Sequence, residues 1–267
     1  MAQETTSNDN DRSSVAQVSE SADGSRISRD YEKSDGETIH VRAPILFRAD
    51  FARAGFIIPQ AGADEFDSQF VKEVAGAGTV AKAADLPGGG IVCANNAVTD
   101  TIIAGIDMDD INPFHSGSST VLTGLQAEFR IAVKASSMTN QDMFVGLIGD
   151  YSETSTVLDS TERIGFFFDA SLTPLCVSED GTNSQSATSG SLFVTTVAKI
   201  LRIDFSNPID VKFYVNGVRV VSSSTYTVAD IGTARLQPFV GLFNNGTAGS
   251  AATTITCTKC WIWQLRA

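Results

Sequence analysis

Hydrophobic and polar residues alternate most regularly between residues 199 and 221, in the segment KILRIDFSNPIDVKFYVNGVRVV. Two alternating runs predict two β-strands, and Asn216-Gly217 after the second run predicts a type I′ reversal of the chain. This turn sets three cross-strand pairs: Val215 with Val218, Phe213 with Val220, and Tyr214 with Arg219. The pattern predicts an antiparallel sheet with one buried face, and a cation–π pair between Tyr214 and Arg219 on its outer, polar face.

Similar alternation recurs along the rest of the chain from about residue 41. The predicted strands cover residues 43–51, 55–59, 78–83, 90–94, 101–106, 125–134, 143–148, 163–169, 174–179, 191–197, 236–243 and 253–265. Helical periodicity is weak, with short possible helices at 64–74 and 228–231. Many strands and little helix predict an all-β fold in which two antiparallel sheets pack face to face.

Three of these strands are apolar on both faces. In strands 163–169, 236–243 and 253–265, large apolar side chains occupy consecutive positions. Only one face of each sheet lies in the core of a sandwich, so another layer must cover the second face. Loops of the same chain, a subunit interface and a ligand groove are the three possible covers. The interface candidates are Phe167, Phe239, Phe243, Trp261 and Trp263.

The first 40 residues differ from the rest in composition. They contain nine acidic and four basic residues and few large apolar side chains. Such a segment cannot bury enough apolar surface to offset its ordering entropy, which predicts an arm without regular structure of its own. We therefore divide the chain into an acidic, low-complexity arm (1–40) and a sandwich domain (41–267). Ile27, Tyr31 and Ile39 are the candidate partner-binding residues of the arm.

The charge and the cysteines exclude several classes of function. The chain has 31 acidic and 19 basic residues, a balance that would repel nucleic acid. The sequence has no N-terminal export signal and no long apolar run, so we expect neither export by such a signal nor a membrane span. The four cysteines are expected to be reduced. Cys257 and Cys260 lie three apart in a predicted strand and should face opposite sides unless a bulge intervenes, so both are interpreted as structural.

No residue pattern supports catalysis or a cofactor. A glycanase would need paired carboxylates, but Glu65-Phe66-Asp67 lacks the third acid of the E-x-D-x-x-E motif. The only histidines are His40, at the end of the arm, and His115, in a predicted loop. We therefore expect no enzyme and no cofactor. Asp107, Asp109 and Asp110 have a spacing suitable for calcium, which binds oxygen ligands, although a solvated turn explains them equally.

Several sequence blocks together resemble a known family. These are KILRIDFSNPIDVKFYVNGVRV, LQPFVGLFNNGTAG and TTITCTKCWIWQLR, preceded by ADFARAGFIIP, PGGGIVCANNAVTDTIIAG, LQAEFRIAVKASSMTNQDMFVGLIGD and RIGFFFDAS. In this order they resemble the concanavalin A-like (laminin-G-like) jelly roll of tailed-phage virion proteins. The resemblance covers residues 45–267 and implies a two-sheet jelly-roll sandwich with an extended N-terminal arm.

The resemblance implies two possible roles. The first is a capsid decoration (cement) protein that is made in the host cytoplasm and stabilises the outer surface of a phage head. Its partner would be the major capsid protein or another virion protein, and it would be a homo-oligomer, with a trimer favoured. The second is a carbohydrate-binding module of a phage fibre or tail that holds a host-surface glycan. That role predicts solvent-exposed aromatic residues along a groove, among Phe239, Phe243, Trp261 and Trp263.

Overall fold

The computed structural model describes most of the sandwich domain and short segments of the arm. The described residues are 17–20, 27–32, 38–41, 45–50, 71–75, 78–83, 90–95, 103–107, 114–115, 122–135, 138, 140–149, 151, 160, 162–180, 184–205, 207, 210–226, 235–244 and 253–266. They contain nineteen β-strands, numbered here in chain order, and no helix. Strand pairing is antiparallel throughout these residues, as expected for sheets built from hairpins and returning strands.

Two eight-stranded sheets form the sandwich. From edge to edge the first sheet contains β17 (Val218–Val220), β16 (Lys212–Val215), β15 (Lys199–Phe205), β10 (Leu122–Lys134), β19 (Thr253–Arg266), β7 (Ile91–Asn95) and β6 (Thr79–Lys82), and β4 (Ile45–Asp50) also pairs with β19. The second sheet contains β14 (Ser184–Thr188), β13 (Leu175–Asp180), β12 (Glu162–Asp169), β11 (Gln141–Ile148), β18 (Arg235–Asn244), β8 (Ile103–Asp107) and β5 (Val71–Ala75), and β9 (Phe114–His115) also pairs with β18. The predicted fold class, an all-β jelly-roll sandwich, is confirmed.

The hairpin predicted at 199–221 has the expected register. Its three cross-strand pairs are those set by the turn: Val215 with Val218, Phe213 with Val220, and Tyr214 with Arg219. Asn216 and Gly217 have φ values of 50° and 78°, as a type I′ turn requires. The hairpin lies at the edge of the first sheet, next to β15.

The main core lies between the two sheets. Alternate residues of each strand point inward, so β10 contributes Phe129 and Ile131 and β11 contributes Val145, all fully buried. Phe166 of the second sheet meets Phe213 of the first edge to face, with ring centroids 5.5 Å apart. This layer excludes water and holds the two sheets together.

One helix assignment and one strand assignment from the sequence are wrong. Residues 71–75, at the end of the possible helix, form β5, because they pair with β8 along its whole length. Residues 191–197 form a loop rather than a strand, since the backbone of Phe193 bonds to Leu172 and that of Thr196 to Val133, on opposite sheets. The sequence pattern does not predict β14. This edge strand is polar and shows no alternation of apolar and polar residues.

The arm contains three short strands, where no regular structure was expected. β1 (Gln17–Glu20), β2 (Ile27–Glu32) and β3 (Thr38–Val41) form an antiparallel sheet of their own. Tyr31 and Ile39 are direct cross-strand partners. Regular pairing satisfies the backbone hydrogen-bonding groups, a contribution that the composition argument leaves out.

Candidate functional site

Aromatic residues cover the outer face of the second sheet. Phe144, Phe239 and Phe243 are fully buried there, together with Ile148 and Val177, in a cluster separate from the main core. The rings of Phe239 and Phe243 stack with centroids 5.4 Å apart, and Tyr151 meets Phe239 edge to face at 5.3 Å. We call this cluster the closed face. Since these residues are buried within a single chain, the chain itself covers this face.

Two facing glycines allow the rings to lie close to the sheet. Gly146 of β11 and Gly165 of β12 are direct cross-strand partners. A Cβ added to Gly146 would lie 2.7 Å from Gly165 Cα, and a Cβ added to Gly165 would lie 2.8 Å from Phe144 Cζ. The space above this glycine pair is therefore already filled by backbone and by the ring of Phe144.

The burial of the closed face corrects part of the sequence prediction. Phe239 and Phe243, proposed as interface or groove residues, are not accessible to a partner or a glycan while the chain keeps this fold. Phe167 is half-buried at the margin of the closed face. The guanidinium of Arg163 lies 5.0 Å above its ring and forms a bidentate ion pair with Glu179. The predicted exposed aromatic groove is therefore wrong for this sheet.

A different arrangement occupies the outer face of the first sheet, which we call the open face. Cross-strand register places Tyr214, Arg202, Glu128 and Trp261 in one row across β16, β15, β10 and β19. In the next row, Gln126 lies opposite Trp263. The aromatic rings of both rows are half-buried, and polar groups lie between them.

Arg202 connects the aromatic rings of the open face. Its guanidinium carbon lies 5.5 Å from the ring centroid of Tyr214 and 5.8 Å from that of Trp263. Its Nη2 donates a hydrogen bond to Gln126 Oε1 at 2.6 Å and lies 3.6 Å from Asp204 Oδ2. The cation partner of Tyr214 is thus Arg202, whereas the predicted partner Arg219 forms an ion pair with Asp210 at 3.5 Å.

Lys259 fixes the other tryptophan of the open face. Its ammonium nitrogen lies 3.3 Å from the ring centroid of Trp261 and donates to the carboxylate of Glu128. Both charged side chains are about one-fifth exposed, so the pair is partly shielded from solvent. Together these contacts hold Trp261 and Trp263 in fixed orientations on a partly exposed sheet.

The open face can bind a ligand that has both apolar and polar surfaces. Oriented aromatic rings provide flat apolar contact area, and the neighbouring amide, carboxylate and guanidinium groups provide hydrogen-bond partners. The described residues contain no group of three or more acidic, histidine or cysteine side chains able to hold a metal ion. The rings and polar groups of the open face thus support binding of such a ligand.

The cysteines of the C-x-x-C segment both face the core, contrary to the alternation expected from their spacing. A bulge interrupts the pairing of β19 with β10, since Lys259 lies opposite Arg130 and Cys257 opposite Ile131. Thr258 is the extra residue, and Cys257 and Cys260 are fully buried. Burial raises the pKa of Cys257 to about 12, and the pKa of Cys260 is also well above its usual range. Both thiols are therefore neutral at physiological pH.

Other predicted site residues are only partly described. Asp107 ends β8, while Asp109 and Asp110 lie outside the described residues, so the calcium prediction stays open. His115 is in β9 rather than in a loop, opposite Arg235 of β18. Ile27 and Tyr31 are in β2 and Ile39 is in β3. None of the described residues form a helix long and apolar enough to cross a membrane.

The sequence pattern does not predict the polar half of the open face. Gln126, Glu128, Arg202 and Lys259 are brought together from three strands that are far apart in sequence. Each is an outward-facing polar residue in an alternating strand. Such a pattern predicts that the side chain contacts solvent, but not which residues lie beside it. Their proximity depends on strand order and register, which a single sequence does not provide.

The fold is similar to that of solved structures from other proteins. One is a protein of unknown function from Shewanella oneidensis MR-1, with a TM-score of 0.54 and 12% identity over 84% of this chain and 87% of that chain. Another comes from work on human gut bacteria that express endo-acting O-glycanases to initiate mucin breakdown. Its TM-score is 0.54, with 11% identity over 83% of this chain and 98% of that chain. No family model and no curated protein matches the chain.

These similarities concern the fold. The architecture is a two-sheet antiparallel jelly-roll sandwich. At 11% and 12% identity, the likeness carries no information about catalytic residues or ligands. The function must therefore be argued from the open face itself.

Proposed function

We propose that the chain is a carbohydrate-binding module that holds a glycan on the open face of the first sheet. In the setting implied by the phage resemblance, this would be the adhesion module of a fibre or tail. The observation that carries the proposal is the row of half-buried Tyr214 and Trp261 with Arg202 and Glu128 between them, next to Trp263 and Gln126. Sugar rings have apolar C–H faces and polar edges, and this surface offers a partner for each.

The rigidity of the surface supports this role. Arg202 and Lys259 contact the rings of Tyr214, Trp261 and Trp263, and each also bonds to an oxygen of a neighbouring side chain. Side chains that are already fixed lose little conformational entropy when a ligand binds. A preorganised aromatic surface is therefore suited to weak, repeated contacts along a glycan.

The two tryptophans allow a direct test. They are the only tryptophans in the chain and both lie on the open face, so tryptophan fluorescence reports on this site alone. We expect hits on a glycan array and a saturable change in fluorescence on titration with the glycan identified there. Trp261→Ala and Trp263→Ala should each weaken binding about tenfold or more. The matched control is Phe167→Ala, a half-buried aromatic on the other sheet, which should leave affinity unchanged.

Two results would contradict the proposal. One is a glycan array without hits together with unchanged fluorescence. The other is shortening of the bound glycan during incubation, measured by size-exclusion chromatography, because a binding module leaves the chain length of its ligand unchanged.

Decoration of a phage capsid is a second candidate function, and the arm favours it. Cα register places Val18, Ile27, Tyr31, Ile39 and Val41 on one face of the three-stranded sheet together with Glu20 and Arg29, and only polar residues on the other. A small sheet with one mostly apolar face needs a second layer to cover it. A capsid protein or a neighbouring subunit of a homo-oligomer would provide that layer on the virion surface.

Cosedimentation with expanded capsids tests this second candidate. The full chain should bind the capsids, and the double variant Tyr31→Ser, Ile39→Ser should bind more weakly. The corresponding polar-face variant, Ser28→Ala with Asp30→Ala, should bind like the original chain. A chain that is monomeric by light scattering and does not bind capsids would contradict capsid decoration.

A further inference from the structure

Basic side chains predominate on the open face, although the whole chain has a formal net charge of −12. Strands β10, β15, β16, β17 and β19 bring six bases to this face, and three acids lie among them; on the neighbouring β4, Arg48 lies opposite Trp261 and Asp50 opposite Lys259. The bases are Arg130, Lys134, Arg202, Lys212, Arg219 and Lys259, and the acids are Glu128, Asp204 and Asp210. The open face is thus a positively charged surface on a negatively charged protein.

The three acids are already engaged by four of the bases. Lys259 pairs with Glu128 and Arg202 with Asp204. Asp210 lies 3.7 Å from Lys212 and 3.5 Å from Arg219. Within the described part of the chain, no acid forms an ion pair with the two remaining bases, Arg130 and Lys134, whose side chains are exposed.

Arg130 also lies in an electrostatically unfavourable position. It is the direct cross-strand partner of Lys259, and like charges placed opposite each other destabilise a sheet. Glu128 compensates Lys259 but does not pair with Arg130. An anionic group bound beside Trp261 would interact favourably with both cations.

We infer that the glycan bound by the open face is acidic, with carboxylate groups such as those of uronate or sialate residues. The inference rests on the proposed carbohydrate-binding function. Trp261 and Trp263 contact the sugar rings, while Arg130 and Lys134, four residues apart on the same face of β10, bind carboxylates along the chain. A guanidinium can bind a carboxylate with two parallel hydrogen bonds, which gives specificity as well as attraction.

The test compares an acidic glycan with a neutral glycan of the same backbone. Tryptophan fluorescence titrations would use polygalacturonate, a sialylated oligosaccharide, and their carboxyl-reduced forms. We expect tighter binding of at least one acidic form than of its reduced form, weakened by added salt. The double variant Arg130→Gln, Lys134→Gln should weaken that binding about fivefold to tenfold. The control is Lys82→Gln, an exposed base at the far edge of the first sheet, which should bind like the original chain.

Other outcomes of these titrations would overturn the inference about acidic glycans, the proposed carbohydrate binding, or both. Equal binding of acidic and reduced glycans would overturn this inference and leave the proposed function standing. Loss of affinity in Lys82→Gln equal to that of the double variant would also overturn it, because the attraction would then be unspecific. No binding of any glycan would overturn both proposals. Unchanged thermal unfolding of the variants shows that a loss of affinity arises from the lost charges.

Discussion

Aromatic residues lie on the outer faces of both sheets, but those at the centre of the second sheet are fully buried, whereas those of the first sheet are partly exposed. On the closed face, facing glycines let Phe144 lie against the backbone, and the rings of Phe239 and Phe243 stack under a cover from the same chain. On the open face, long charged side chains separate the rings instead. What lies between the aromatic residues thus determines whether they form a second core or a surface that can bind a ligand.

Truncation of a closed-face ring should have the largest effect on stability. Phe239→Ala removes a fully buried ring that contacts Phe243 and Tyr151, and we expect a loss of about 3–5 kcal/mol of unfolding free energy. Trp263→Ala on the open face should cost about 1 kcal/mol, since its ring is already partly hydrated. Urea denaturation of both variants measures the difference. Equal losses would mean that the two faces do not differ as described.

A methyl group added to one of the two facing glycines of the closed face should have the next largest effect on stability. Gly146→Ala places a Cβ against Gly165 and the Phe144 ring, so we expect a loss of about 3 kcal/mol, measured by denaturation. Gly190→Ala is the matched control, because a Cβ there meets no atom within 4 Å. Its cost should be about 1 kcal/mol, from the positive φ alone. If the two alanine variants unfold at the same urea concentration, the close approach of the strands is not what requires Gly146.

Removal of one charge from the open face should have a smaller effect. Glu128→Gln breaks the pair with Lys259 and should cost about 1 kcal/mol at low salt and less at high salt. A double-mutant cycle with Lys259→Gln isolates the coupling between the two residues. Asp210→Asn, in a more exposed pair, is the control and should cost a few tenths of a kcal/mol, about the lower limit for surface pairs. A cycle with zero coupling energy would show that the pair does not fix Trp261.

The smallest effect should depend on pH and concerns the margin of the closed face. Burial, and then the neighbouring Asp169, raise the pKa of Asp142, against the opposing effects of the Ala170 N–H and Arg163. Because this pKa is higher in the folded state than in the unfolded state, the ionised form of Asp142 destabilises the fold. The destabilisation is complete above the folded-state pKa and absent below the unfolded-state pKa of about 4. Asp142→Asn should therefore unfold at a higher temperature than the original chain at neutral pH. This advantage should disappear at pH 3. An advantage that persists unchanged in acid would exclude Asp142 ionisation as its cause.

The features of the fold that depend only on residues close together in the sequence could be predicted from it. Alternation and Asn216-Gly217 predict the hairpin and its register, because a type I′ turn determines both. The double apolar character of strands 163–169 and 236–243 correctly indicated a second buried layer on these strands. That layer is covered by the chain itself, one of the three covers considered.

Other features depend on residues that are far apart in the sequence. The row from Tyr214 to Trp261 requires the strand order β16, β15, β10 and β19, which alternation within each strand does not determine. The bulge at Thr258 leaves no compositional signature, so the facing of Cys257 and Cys260 could not be predicted. For the same reason the aromatic candidates were grouped together, although Trp263 and Phe239 lie on different sheets.

At Thr258 the alternation of buried and outward-facing residues in β19 shifts by one residue. Before it, residues with odd numbers such as Ile255 and Cys257 are buried, and after it those with even numbers, Cys260 and Ile262, are buried. Without the bulge, the same sequence would continue the earlier alternation through Thr258, so that Lys259 and both tryptophans would face the core. The potential ligand surface therefore depends on the register shift at Thr258 as well as on the identity of the residues that follow it.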